Sequence, residues 1–396
     1  MRDEPSELDP DIGARRPRGR TLALRVGVAL VSLAIGAGVV ELAVRAALDV
    51  YRCDPQMGWT FQHDRSGLKL NRETNSLNTV QLNRHGFRGP DRELEKPAGV
   101  HRTLVLGDSF TAGLHVAQAD SYPARLEENL NRKNKAGTRF EIINAGVPGY
   151  STAQELAFFR EIGWKHNPDL VVLALYLGND ISNNSLRAIP CHYLVSVCGR
   201  PYYEMREGRL VSIDEGRPQR VQSESWLDRL LGFSLVYRNL IQRSTMPVSN
   251  EAPEGQVVYG IESKTRGFPA WVTTMELLLQ IKEAVELYRI PFVVLVASTQ
   301  PEVVVSPMTG SMRLLRLELL SFLEHHGIAY VEPLRGLLES QEDGRSPYYE
   351  GDHHWNEVGH AIAANAIDAF FVQHCGAFGL PIEGCTSRDS TQNALQ

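Results

Sequence analysis

The fold class this chain predicts is an open α/β sandwich of three layers, and two observations carry the prediction. Short, continuous apolar runs recur at 103–106, 140–143, 170–175, 292–297 and 328–331. Stretches with helical spacing alternate with them, at 122–131, 152–163, 270–288, 311–325 and 357–373. Strands that are apolar throughout, instead of at every second position, are buried on both faces. That is the signature of a parallel sheet with helices on either side. The expected core is therefore a five-stranded parallel sheet between two helical layers.

Composition bounds the rest. A chain of 396 residues, 43% hydrophobic and 22% charged, has ample apolar surface for a core and does not read as disordered. With 41 Lys+Arg against 47 Asp+Glu the formal charge is -6. No excess of positive charge exists to displace counterions from a phosphate backbone, so a nucleic-acid partner is not expected.

The N-terminal region departs from this average. Residues 26–40 carry no charge, and the apolar character extends over 22–48 if Arg25, Glu41 and Arg45 are tolerated. Arg15, Arg16, Arg18 and Arg20 precede it. The pattern predicts a transmembrane signal-anchor helix over 22–46, a cytoplasmic tail over 1–21, and a body exported to the extracytoplasmic, periplasmic side. The fifteen uncharged residues alone rise only about 22 Å, so the span is expected to be minimal. A cleaved signal peptide fits the same segment, with Val44-Arg45-Ala46 as its exit.

Residues 47–100 are polar and rich in turns, and read as a connector packing on the edge of the domain at 101–376. Within it Asn83 and Arg88 are expected to brace that edge. An interval of about 185–267 breaks the βα rhythm and is too long for a structureless loop, which predicts an inserted subdomain near the active face. Residues 377–396 read as a polar tail. Of five cysteines, Cys191 and Cys198 are close in sequence, as are Cys375 and Cys385, while Cys53 stands apart. Two local disulfides and reduced thiols both fit this spacing.

The chemistry concentrates where strands end, because open parallel sheets bind ligands beyond their carboxyl ends. The first strand runs into Gly107-Asp108-Ser109, whose hydroxyl is a nucleophile if a base takes its proton. The second ends in Asn144-Ala145-Gly146-Val147-Pro148-Gly149, where glycine lets a backbone N–H approach a substrate. The third ends in Gly178-Asn179-Asp180, which offers an amide. Gly351-Asp352-His353-His354-Trp355-Asn356 precedes the last helix and supplies a carboxylate and an imidazole. Nucleophile, base, orienter and oxyanion donors thus appear in order along one chain.

These four blocks resemble those of the SGNH hydrolases, the GDSL esterase/lipase family, over about 101–375 without the insertion. The resemblance implies a flavodoxin-like three-layer fold and attack by Ser109 on a carbonyl carbon, usually of an ester. It further implies an oxyanion hole built from the Ser109 N–H, the Gly149 N–H and the Asn179 side chain. The last block departs from the common Asp-x-x-His pattern. Asp352-x-His354-Trp355 is similar to a variant among membrane-associated members, and it makes His354 the base and Asp352 its orienter, with His353 the alternative base. His360, inside the last helix, and Trp355 read as packing residues. HExxH is absent, no metal site is expected, and the chemistry requires no cofactor.

The function expected is a membrane-anchored ester hydrolase acting through an acyl-serine on a lipid, a small ester or an acylated glycan. Two other functions remain open from sequence. One hands the acyl group to a sugar hydroxyl, as an O-acyltransferase of an envelope polysaccharide. The other is a non-catalytic, membrane-tethered binding or assembly protein.

Overall fold

The structure is a computed structural model that describes residues 18–48, 50–71, 74, 76–133, 137–184, 198–213, 234, 269–304, 310–351, 353–382 and 385. Most of the expected insertion, Asp352 and most of the polar tail lie outside the described residues.

The core is a five-stranded parallel sheet. Its strands, named with the elements that follow them, are β5 (Val100–Leu106), β6 (Arg139–Asn144), β7 (Leu170–Tyr176), β10 (Phe292–Ala297) and β11 (Ala329–Val331). They lie in the order β11-β10-β7-β5-β6, every neighbour parallel. In chain order this is 2-1-3-4-5, so the winding reverses between β5 and β7. That gap is the switch point at which such sheets hold ligands.

Each strand is apolar on both faces because it serves two cores. Leu104, Leu106, Val171, Leu173, Val294 and Val296 belong to one. The alternate residues Val105, Val172, Ala174, Val293 and Leu295 belong to the other. On the first face pack α4 (Thr152–Glu161), α6 (Pro269–Glu286) and α8 (Gly310–His325), through residues such as Leu156, Leu277, Ile281 and Leu319. On the second lie α3 (Tyr122–Lys133) and α10 (Glu357–Gln373), through Leu126, Leu130, Ala363 and Ile367. The three layers expected from the sequence are therefore present.

The connector is more than an edge. It forms two antiparallel hairpins, β1 (Tyr51–Asp54) with β2 (Gly58–Phe61) and β3 (Ser66–Asn71) with β4 (Ser76–Gln81). Met57, Trp59 and Phe61 are at most 1% exposed and join the first core. Burial of a side chain such as Met57 or Phe61 contributes about 1.5–3 kcal/mol, enough to fix these hairpins to the body. Of the expected insertion, residues 198–213 and 234 are described, with the antiparallel hairpin β8 (Tyr202–Arg206) and β9 (Arg209–Ile213).

Cysteine pairing corrects one expectation. Cys198 is bonded to Cys53, 145 residues away, and not to its sequence neighbour Cys191. Both lie where the connector meets the base of the insertion. Cys375 pairs with Cys385, as proximity suggested.

At the N-terminus a single helix, α1, runs over Arg18–Leu48. Its segment Leu22–Ala43 is long and apolar enough to cross a membrane. Those 22 residues rise about 33 Å, which meets a hydrocarbon core of about 30 Å, so the span is not as short as the uncharged stretch alone suggested. A signal sequence near an N-terminus has the same length and composition.

Candidate active site

The nucleophile turn is built by constraint. Gly107 sits at φ +155, and a Cβ there would lie 2.1 Å from Thr111 Oγ1, so no larger residue leaves β5 along this path. Asp108 then caps the short helix α2 (Ser109–Ala112), its Oδ1 accepting the Phe110 N–H at 2.9 Å. Ser109 is the first residue of that helix and projects from the carboxyl end of β5 at the switch point.

Three other chain segments reach this point. His354 brings its Nε2 within 2.8 Å of Ser109 Oγ, across 245 residues of sequence. With the serine hydroxyl donating to Nε2, Nδ1 carries the ring proton. The His354 ring packs on Phe110 (centroids 5.0 Å apart) and stacks on His115 at 4.2 Å and 24°. From the end of β7, Asn179 donates its Nδ2–H to Asp108 Oδ2 at 3.1 Å. Gly149, buried and at φ +80, sits in the turn after β6. Neither its N–H nor that of Ser109 is donated to an acceptor among the described residues.

The adjacent histidines diverge. His353 takes a positive φ of 64° and is exposed, its Nδ1 paired with Gln300 Oε1 and turned away from the serine. His354 alone of the two meets Ser109. Asp352, expected to orient it, lies outside the described residues. Trp355 is fully buried, edge-on to Phe110 at 5.0 Å, and belongs to the second core. His360 is also buried, accepting the Tyr122 N–H on Nδ1 at 3.3 Å. Burial, then the nearby Arg88, holds its pKa well below the usual histidine value, so it stays neutral. Asn356 caps α10 through the Val358 and Gly359 N–H groups and ties the loop back to Ser346 O.

Two carboxyls lie beneath the site. Asp108 is fully buried, and its pKa is raised by desolvation, opposed by the Phe110 N–H, by His354 and by the Asn179 and Ser109 side chains. Glu155, in the first turn of α4, is 1% exposed, and both its oxygens lack a partner among the described residues. Desolvation first, and the charge of Asp108 second, push it well above the ordinary glutamate range. Hydrogen bonds favour the charged form of Asp108, and among the described residues none does so for Glu155.

The connector grips the site from outside, which its composition did not disclose. Arg88, buried, donates to the carbonyls of Ala112 (2.9 Å), Gly113 and Val116 (2.7 Å). It closes the carboxyl end of the helix that Ser109 begins, which gives the bracing expected of it a definite object. Desolvation lowers its pKa to about 10. Asn83 accepts the His85 and Phe87 N–H groups and donates to Pro90 O, fixing its own turn. Trp59 Nε1 donates to Pro148 O at 3.1 Å, and Tyr150 OH donates to Trp59 O at 2.7 Å, either side of Gly149. Among the described residues no group of His, Cys, Asp and Glu is arranged to hold a metal ion.

Residues 105–200 match the model of the "GDSL-like Lipase/Acylhydrolase family". An arylesterase of Vibrio mimicus is 32% identical over 95 residues, which is 24% of this chain and 44% of that protein. The chain thus spans less than half the length of that relative. Among solved structures, a putative lipolytic protein of the G-D-S-L family from Desulfitobacterium hafniense aligns with TM-score 0.37 and 10% identity, over 68% of this chain and 98% of its own. A catalytic mutant of an acetylxylan esterase from Geobacillus stearothermophilus aligns with TM-score 0.38 and 12% identity, over 67% and 92%. The stretch that supplies Ser109, Gly149 and Asn179 accordingly matches the GDSL-like lipase/acylhydrolase family.

Proposed function

We propose that this protein is a membrane-anchored serine hydrolase that cleaves an acyl or acetyl ester through an acyl-serine intermediate. The observation that carries the reading is the 2.8 Å contact between Ser109 Oγ and His354 Nε2 at the switch point of the sheet. The family match and the arylesterase similarity support ester chemistry.

In this mechanism His354 takes the hydroxyl proton as Ser109 Oγ attacks the ester carbonyl. The N–H groups of Ser109 and Gly149 and the second N–H of Asn179 receive the oxyanion. The Asp108 carboxylate accepts the other Asn179 N–H and so aims the amide. Asp352 orients the His354 Nδ1–H. The alcohol leaves with the proton from His354, and water, activated by the same imidazole, releases the acid.

The anchor is the segment 22–46 of α1, with residues 1–21 in the cytoplasm and the domain of 101–376 on the periplasmic side. The Cys53–Cys198 and Cys375–Cys385 bonds support an oxidising compartment for it. The test is labelling of the full chain with a fluorophosphonate probe. Labelling of wild type and not of Ser109→Ala is expected; a folded wild type that takes up no label would overturn the reading.

A further inference from the structure

His115 lies in the loop after α2, outside every motif that the sequence brings forward, yet three segments of the chain converge on it. Its ring stacks on that of His354, centroids 4.2 Å apart and 24° from parallel. Its carbonyl accepts from Asn71 Nδ2 at 3.1 Å and Asn78 Nδ2 at 2.6 Å, both in the connector hairpin β3–β4. The Tyr349 hydroxyl lies 3.2 Å from the same oxygen, but it has one proton and a nearer acceptor in Glu357 Oε1 at 3.0 Å. Tyr349 in turn donates its N–H to the His354 carbonyl at 2.9 Å. Asn71 and Tyr349 are buried, as is His115 itself.

A carbonyl oxygen has two lone pairs, and the two side-chain amide donors fill them and fix that backbone point. What is fixed there is the backbone that carries the ring lying on His354. An imidazole held at its Cβ alone rotates freely about its last torsion, which is broad for sp³–sp² bonds. A stacked neighbour narrows that rotation and keeps Nε2 on the serine.

We propose that His115 is a positioning residue for the base, and that the connector hairpin, through Asn71 and Asn78, holds it in place. The connector is on this account part of the catalytic apparatus and not a spacer between anchor and domain. The inference rests on the function proposed above for Ser109 and His354.

The experiment measures fluorophosphonate labelling rates and p-nitrophenyl acetate hydrolysis on the detergent-solubilised full chain, with a thermal melt for each variant. His115→Ala is expected to lower the labelling rate constant and kcat by about ten-fold or more, with KM little changed, because only the alignment of the base is lost. His115→Phe, which keeps a flat ring and no titratable nitrogen, restores most of that loss. Asn78→Ala, which leaves the ring in place and loosens its support, falls between. His115→Ala labelling at the wild-type rate would overturn the proposal, as would a folded His115→Phe no better than His115→Ala. Failure of wild type itself to label would instead overturn the hydrolase reading on which the proposal rests, so the two failures are told apart.

Discussion

Acid should destabilise this protein through a histidine remote from the serine, and the size of the effect follows from its surroundings. His166 ends a short turn before β7 and is 2% exposed, its ring edge-on to Phe87 at 4.9 Å and to His85 at 5.0 Å. Its Nδ1 is buried without a hydrogen-bond partner among the described residues. Desolvation, then His85 and Arg102, lower its pKa to about 4 from the ordinary 6.5. The folded pKa is depressed, so the unfolded chain binds a proton first as the pH falls. Stability is intact above pH 6.5 and is lost between 6.5 and about 4. At about 1.36 kcal/mol per pKa unit the full loss is about 3 kcal/mol. His166→Phe keeps a ring in the cluster and removes the titrating group. Urea unfolding at pH 7 and at pH 4.5 should show a smaller acid loss for the variant than for wild type, by most of that amount. Equal losses in the two proteins would refute the reasoning.

Other outcomes are expected at the site. Asn179→Ala removes an oxyanion donor and should lower kcat by about a hundred-fold or more while the thermal midpoint stays near that of wild type. His353→Ala, changing an exposed ring that faces Gln300, should hydrolyse p-nitrophenyl acetate at close to the wild-type rate. Glu155→Gln tests the buried proton. A folded pKa above the unfolded value gives stability that is complete below the unfolded pKa, near 4.3, and lost as pH rises toward the folded one. The variant does not titrate, so its thermal midpoint relative to wild type should be higher at pH 8 than at pH 5.

The sheet was legible because its strands are apolar on both faces: Val171 and Val172 serve opposite cores, and a run such as 170–175 has no other use in a soluble body. The loops carrying Ser109, Gly149, Asn179 and His354 could be located for the same reason, since each follows a recognisable strand or precedes a recognisable helix. What could not be read is whatever depends on long-range encounter. Trp59 and Met57 sit in a polar stretch with no periodicity, and only the turn at 148–154, which they meet, explains their burial. Cys53 gave no hint of Cys198 because loop closure over 145 residues leaves no local trace. His115 was silent for a related reason: nothing within its own loop requires a histidine, and its stacking partner lies far along the chain. Glu155 falls in the first turn of a helix, a position where carboxylates are favoured, and its burial beside Asp108 is a tertiary fact.

The central claim is that Ser109 forms a covalent acyl bond with the help of His354. Rapid-quench mass spectrometry of the full chain mixed with p-nitrophenyl acetate tests it most directly. An acetyl adduct on the peptide that contains Ser109, formed within the first turnover and missing from both Ser109→Ala and His354→Ala, is expected. Hydrolysis by the wild type with no adduct at Ser109, or an undiminished adduct in His354→Ala, would contradict it.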